Sequence, residues 1–451
     1  MKSRFIKESN FEVSVEKLFS WHERDAVIKR LTPCWESVIL LSQTGRVCEN
    51  PRVFFKVKAG PFWIDYVAKH VEYEKNRMFI DIQEKGPFKK YKHSHIFNRL
   101  EENVSQLKDH VEFEMPLHFL TKYFVFNKFR RMFDYRHTIT RNDIDFLEKF
   151  NVKPMRIAVT GASGDIGRNL LPLLQTHGHK VIRLIRDKEL TDEENYYWEV
   201  DTGKVYGSDL NFDAVIHLAG KPIGNKRWND KIKGEIVKSR IDNTKKLAKF
   251  LLSLERKPRV FISASAIGYY GETGDNFVDE EGVSGNEFIS YICKNWEDSA
   301  NILKSSMRVV NLRIGVVMSY CGGALNRVLP FFNTGLGVVF GKGDNYLSWV
   351  SMDDALYSIL FSLYKDNISG AVNVVSPNPV RQKDYAKTLA KVLNRPQFIK
   401  VPEKVVRLLF GDMGREILLT STRVYPKKLL DNGFKFYFPD LEYTIRHTLG
   451  R

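Results

Sequence analysis

Three glycines, Gly161, Gly164 and Gly167, stand at a spacing that can hold a diphosphate. They fall in the segment Met155-Arg-Ile-Ala-Val-Thr-Gly-Ala-Ser-Gly-Asp-Ile-Gly-Arg-Asn-Leu-Leu171. The mostly apolar run before Gly161 reads as a buried parallel strand, and Ile166 to Leu174 read as a helix. A strand that enters a glycine turn and then a helix aims the free N–H groups of the helix N-terminus at an anion, and glycine lets the backbone approach it. The candidates for contact are Gly161, Ala162, Ser163, Gly164, Asp165, Ile166 and Gly167. Glycine spacing alone also suits an ordinary tight turn, but the strand and helix on either side favour the cradle.

The following strands refine the ligand. Lys180-Val-Ile-Arg-Leu-Ile185 ends about 20 residues beyond the glycines, where an NAD-binding fold usually places an acid on the ribose hydroxyls. Arg186 stands there instead, with Arg183 inside the strand. A guanidinium suits a 2′-phosphate through bidentate, charge-assisted hydrogen bonds, so NADP is favoured, and Asp187 keeps NAD as the alternative. Asp213-Ala-Val-Ile-His-Leu-Ala-Gly220 is a buried strand ending in small residues, which places Leu218, Ala219 and Gly220 against a dinucleotide.

The chain has 451 residues, enough for two or three domains that each bury a core. No apolar run approaches a membrane span and no signal-like stretch opens the chain, which predicts a cytoplasmic protein. The net charge of +16 is carried by dispersed lysines, so specific nucleic-acid binding is a minor reading. The cysteines Cys34, Cys48, Cys293 and Cys321 show neither metal-like pairing nor a disulfide framework and are expected to be reduced. No metal-ligand cluster is expected from the 11 histidines.

The pattern changes near Asn151-Val-Lys-Pro-Met155. Residues 1–150 read as one domain, 155–375 as an α/β domain and 376–451 as a helical segment on the substrate side. In the first, Phe5 to Phe11 is a strand, and Val15, Leu18, Phe19 and His22 fall at helical spacing. Several period-two segments follow. Pro116 then opens a helical stripe through Phe119, Tyr123, Phe126, Phe129 and Phe133, with Lys122, Lys128, Arg130 and Arg131 as a solvated flank. The expectation is an α+β domain in which a curved antiparallel sheet wraps one long helix. That order, with Trp21-His-Glu-Arg24 early and Met132-Phe-Asp-Tyr-Arg-His137 late, resembles the SRPBCC (START-like, helix-grip) superfamily over residues 1–145. The resemblance implies an apolar ligand between sheet and helix; a solid aromatic core is the other reading.

From Met155 on, the order of elements resembles the extended short-chain dehydrogenase/reductase (NAD-dependent epimerase/dehydratase) family, a doubly wound parallel Rossmann sheet. His217-Leu-Ala-Gly220, Lys226-Arg-Trp228, Ser239-Arg-Ile241, Ser263-Ala-Ser-Ala-Ile-Gly-Tyr-Tyr-Gly271, Trp296-Glu297, Gly335-Leu-Gly337 and Ser348-Trp349 look like its atypical epimerase group. That group includes bacterial YfcH-type proteins, some labelled cell-division inhibitors, and a human member. Val401-Pro402, Leu409-Phe-Gly411, Arg423-Val-Tyr-Pro426 and Gly433-Phe434 look like the group's C-terminal helical segment.

The resemblance implies a serine and a Tyr-x-x-x-Lys pair that passes a proton while hydride moves to or from the nicotinamide. Ser265 fits the serine. Counting back from Glu297, the tyrosine position falls at Ile289 and the lysine position at Cys293. Tyr291 and Lys294 are present but off register, so the standard pair reads as missing, and Tyr269 or Tyr270 is the substitute donor unless both merely pack on the turn. Arg240, Ser263 and Arg313 complete the cofactor candidates. Lys226, Arg227 and Trp228 form a lid or a docking loop, and Asp354 is expected to cap the helix from Ala355. The expected function is an NADP-binding epimerase or oxidoreductase acting on an unidentified small molecule. The alternatives are a nucleotide-binding regulatory protein without turnover and a hydrophobe carrier acting through the first domain.

Overall fold

The computed structural model describes every residue except Met1, Arg46, Asn50, Pro116, Leu117, Asn225 and Phe398, with the side chains of Ala59, His118, Phe119 and Leu120 also set aside. The helix-opening role expected of Pro116, and the packing of Phe119, therefore lie outside the described residues. The chain forms two compact units. The first holds residues 1–152 with 175–178 and Gly450; the second holds Lys153–Leu174, His179–Leu449 and Arg451.

In the first unit, strand β1 (Lys2–Phe11) is followed by helices α1 (Val15–His22) and α2 (Val27–Arg30). Strands β2 (Val38–Gln43), β3 (Arg52–Ala59), β4 (Phe62–Glu74), β5 (Met78–Lys85), β6 (Lys90–Glu101) and β7 (Val104–Glu114) come next, and then the long helix α3 (His118–Leu147). The strands make one antiparallel sheet in the order β1-β7-β6-β5-β4-β3-β2. Alternation along β7 buries Ser105, Leu107, Asp109, Val111 and Phe113 on one face. One apolar cluster joins Phe11, Leu18, Phe19, Trp21, Phe79, Phe97 and Leu107. A second joins Phe5, Val111, Phe113, Phe129 and Phe133. Tyr123 does not share the buried stripe and is 80% exposed. At 3.6 residues per turn it stands roughly a third of a turn away from the line through Val125, Phe129 and Phe133.

The histidines do gather, contrary to the sequence expectation. Asp81 on β5 faces His93 on β6, and His95 on β6 faces Asp109 on β7. Antiparallel pairing sets these residues side by side on one face although 28 positions of sequence separate Asp81 from Asp109, and His137 of α3 reaches the same carboxylate. The cysteine expectation holds for Cys48 and Cys293, which are free thiols, whereas neither Cys34 nor Cys321 is a free thiol.

In the second unit, β8 (Arg156–Thr160), β9 (Lys180–Ile185), β10 (Asn195–Trp198), β12 (Ala214–His217), β13 (Val260–Ala266), β14 (Arg308–Ile314) and the strand Gly370–Val374 are parallel. The short β11 (Val205–Tyr206) pairs antiparallel at the edge. The order is β11-β10-β9-β8-β12-β13-β14 and then Gly370–Val374, so the chain winds one way from β8 to β9 and the other way to β12. Ala158, Ile182, Val215, Phe261 and Val309 are buried in one core cluster, as the continuous apolar runs of a two-sided parallel sheet require. Opposed crossovers leave a crevice at the carboxyl ends of β8 and β12, where α/β sheets bind ligands.

Ser351, not Asp354, caps the helix Met352–Tyr364, accepting from the Asp354 N–H at 2.8 Å. The Asp354 carboxylate instead accepts from the backbone N–H groups of Tyr437 (2.8 Å) and Phe438 (2.9 Å), tying the last segment to this helix. Among the described residues no helix is long and apolar enough to cross a membrane.

Candidate functional site

The turn after β8 is shaped by what a side chain would strike. Gly161 has φ +70°, and a Cβ there would lie 2.7 Å from the Leu218 carbonyl carbon and 2.8 Å from the Ala219 nitrogen. The two chain segments expected to hold a dinucleotide therefore meet at the crevice, and only glycine fits between them. A Cβ on Gly167 would stand 2.2 Å from the Gly161 oxygen, so that glycine lets α4 (Asp165–Thr176) close on the turn. The Gly164 N–H donates to the Gly161 carbonyl at 3.0 Å. The first N–H groups of α4 have no partner inside the helix and face the turn. Asp165 directs its carboxylate at Arg168, 2.5 Å away, rather than at the anion position.

Behind the turn a buried histidine fixes both strands. His217 Nδ1 is 2.7 Å from Thr160 Oγ1 and Nε2 is 2.8 Å from Thr244 Oγ1, while the Ala219 N–H donates to Thr160 Oγ1 at 3.3 Å. Burial lowers the His217 pKa to about 3, so the ring is neutral. A depressed histidine pKa means that the unfolded chain takes the proton first. The stability tied to His217 is complete above pH 6.5 and is lost as pH falls toward 3. By pH 4.5 the loss should reach about 2–3 kcal/mol. Denaturant unfolding at pH 7 and pH 4.5 is expected to show a steeper acid loss for the wild type than for His217→Gln.

The two arginines expected at the ribose differ. Arg183 is partly buried, with its guanidinium 3.7 Å from Glu194. Arg186 is exposed and has no ion-pair partner among the described residues. Arg240 lies against the β12 loop: a Cβ on Gly220 would sit 3.2 Å from its guanidinium carbon. Arg240 donates to the Lys221 carbonyl at 2.7 Å and stacks over Trp296 at 5.0 Å. Burial lowers its pKa to about 10, leaving it cationic at neutral pH.

The other end of the crevice holds a buried network that the sequence reading missed. Ser265, at the end of β13, donates to Glu297 Oε1 at 2.8 Å. Arg313 of β14 grips both oxygens of Glu297, at 2.8 and 3.0 Å, and donates to the Tyr270 hydroxyl at 2.9 Å. Tyr270 donates to Asn373 Oδ1 at 2.7 Å. Arg313, expected on the cofactor, is thus engaged by Glu297 and Tyr270. Ser263 is fully buried, its hydroxyl on the Ala264 carbonyl at 3.2 Å. Burial raises the Tyr270 pKa to about 12, so this phenol keeps its proton. Tyr269 covers Arg313, ring centroid to guanidinium 3.5 Å, and its hydroxyl has no hydrogen-bond partner among the described residues.

Helix α5 (Phe288–Asn301) carries the off-register pair. Tyr291 and Lys294 are exposed, whereas Ile289 and Cys293, at the expected tyrosine and lysine positions, are buried. Ile289 packs under the turn after β13, 2.8 Å from where a Gly268 Cβ would stand. Burial raises the Cys293 thiol to about 12, so it is no thiolate nucleophile. Trp228 is 7% exposed and donates to the Ile223 carbonyl at 2.8 Å, so its loop is docked.

A parallel sheet with a glycine turn at its switch point and a polar group at the next strand end defines a Rossmann-type α/β unit. The pattern of the NAD dependent epimerase/dehydratase family matches residues 157–374, and a domain of unknown function, DUF1731, matches residues 401–448. Epimerase family protein Mb2239 of Mycobacterium bovis is 35% identical over 296 residues, covering 65% of this chain and 96% of that one. The crystal structure of a nucleoside-diphosphate sugar epimerase from Corynebacterium glutamicum is similar with a TM-score of 0.80 at 29% identity, over 99% of this chain and 90% of that chain. The human epimerase family protein SDR39U1, crystallised with NADPH, gives a TM-score of 0.61 at 29% identity, over 65% of this chain and 99% of that one. The chain belongs to this epimerase family.

Proposed function

We propose that the second unit binds NADP(H), with NAD as the weaker ligand, and carries out slow hydride chemistry on a small molecule. The observation that carries this reading is the cradle a Cβ would fill between Gly161 and Leu218–Ala219. The diphosphate would rest on the backbone of Gly161 to Gly167, with Leu218 to Gly220 along the ribose and Arg240 beneath them. Arg186 is the uncommitted cation for a 2′-phosphate. The SDR39U1 relative, crystallised with NADPH, supports the same cofactor. When bound, the nicotinamide gives or takes a hydride. Ser265 is positioned by Glu297, and Tyr269, whose ring covers Arg313 of the same network, has a hydroxyl without a partner among the described residues, so Tyr269 is assigned the proton.

The test is NADPH consumption with a panel of simple carbonyl compounds. A slow wild-type rate is expected, reduced about 10²–10⁴-fold by Tyr269→Phe and unchanged by Tyr291→Phe or Lys294→Ala. A hundredfold loss from Tyr291→Phe would instead assign the chemistry to α5. The exposure of Tyr291 and Lys294 supports a second reading, a nucleotide-binding regulatory protein without turnover. That reading gains if cofactor binds and no variant or substrate matters. For the first unit we propose a helix-grip, START-like domain, supported by its strand order and the long helix α3 that supplies Phe129 and Phe133 to its core.

A further inference from the structure

We propose that the first unit holds a divalent transition-metal ion of the zinc class, with Asp81, His93 and His95 as ligands. The donor atoms converge. Asp81 Oδ1 lies 3.3 Å from His95 Nε2 and 3.8 Å from His93 Nδ1, and the three lie within 4.8 Å of one another. Donors bonded to one ion at about 2.0–2.2 Å stand roughly 3–3.5 Å apart, so small side-chain shifts complete the sphere.

The outer nitrogens are already set. His93 Nε2 and His95 Nδ1 each approach Asp109 Oδ1 at 2.8 Å, and His137 Nε2 approaches Asp109 Oδ2 at 2.7 Å. With those nitrogens donating to Asp109, His93 Nδ1 and His95 Nε2 carry lone pairs toward Asp81. A carboxylate behind the histidines is how metal-binding imidazoles are oriented.

Charge points the same way. Neither Asp81 nor Asp109 has a lysine or arginine ion-pair partner among the described residues, and the Asp109 side chain is 4% exposed. A divalent ion held by Asp81 would add positive charge where a protonated His95 otherwise supplies it. His70, on β4, faces Asp81 in register. It is 6% exposed and its Nδ1 is buried without a hydrogen-bond partner, but its donor atoms stand outside the converging group. Phe79 stacks on His95 at 4.3 Å and Phe133 packs edge-on against His93 at 5.2 Å, keeping bulk water from the group. Two imidazoles and one carboxylate select zinc, iron(II) or cobalt(II) over magnesium or calcium.

The test uses full-length protein carrying Cys48→Ser, which removes the exposed thiol, after dialysis against a chelator. Zinc(II) is titrated in competition with a chromophoric chelator, and cobalt(II) is followed by its visible absorption. One equivalent is expected to bind, with a spectrum of nitrogen and oxygen ligands and a rise in the thermal midpoint. Asp109→Asn should weaken zinc about 10–100-fold, and the Asp81→Asn/His95→Gln double variant should abolish the cobalt spectrum. Circular dichroism establishes that each variant is folded; should the double variant unfold, Asp109→Asn and the wild-type stoichiometry decide. Absence of binding to folded wild type would overturn the proposal, as would stoichiometric binding by the folded double variant.

Discussion

Gly161→Val is expected to weaken NADPH binding at least about 100-fold while the chain stays folded. The change adds side-chain atoms where a Cβ alone would stand 2.7 Å from the Leu218 carbonyl carbon, at a φ of +70° that a β-branched residue resists. The turn must open, and the N–H groups of the α4 terminus leave the diphosphate. Losing one or two charge-assisted hydrogen bonds costs about 1.5–3 kcal/mol each, which sets the scale of the change in affinity. Gly433→Ala is the control: φ is +84°, but nothing lies within 4 Å of its Cβ. It should cost some stability through strain and leave binding intact. Calorimetric titration with circular dichroism separates the two effects, and unchanged affinity in Gly161→Val would mean that the turn holds no phosphate.

The second large effect belongs to the buried network. Arg313→Met is expected to destabilise the second unit by about 3–5 kcal/mol, because it leaves the Glu297 carboxylate buried without its cation. Arg313 and Glu297 side chains are 5% and 8% exposed, joined at 2.8 Å, so water cannot replace the lost partner. Adding Glu297→Gln should recover part of the loss, since the uncompensated charge is then gone. Urea unfolding of the single and double variants measures both numbers. A loss below about 1 kcal/mol for Arg313→Met would place the pair among the weak, solvated kind.

What the sequence disclosed follows from distance along the chain. The glycine turn, its strand and its helix are contiguous, and hydrophobic pattern together with glycine spacing was sufficient to read them. The Arg186 position could be counted from the same motif. The expected tyrosine and lysine positions, Ile289 and Cys293, could be counted back from Glu297 because one helix carries all three. By contrast, Ser265, Tyr270, Glu297, Arg313 and Asn373 come from three strands, a turn and a helix, and nothing local in the sequence says that one carboxylate serves Ser265 and Arg313 together. Asp354 misled for a related reason. A helix-opening acid reads as a cap, but Ser351 had already taken that role, and the acid's partners lie more than eighty residues away.

The histidine group was missed although one signal was present. His93 and His95 stand two apart in a period-two strand, which places both on one face. Their carboxylates, Asp81 and Asp109, are delivered by the strands on either side, so only the pairing register reveals the group. Tyr123 shows the converse error, an aromatic at near-helical spacing that nevertheless misses the buried face.

The most direct test of the central claim is calorimetric titration of the intact protein with NADPH and with NADH, repeated on Arg186→Ala. Tight, saturable NADPH binding is expected, at least about tenfold tighter than NADH, with the preference erased by the variant through loss of about 1.5–3 kcal/mol. No binding of either dinucleotide, or NADH binding as tightly as NADPH to the wild type, would contradict it.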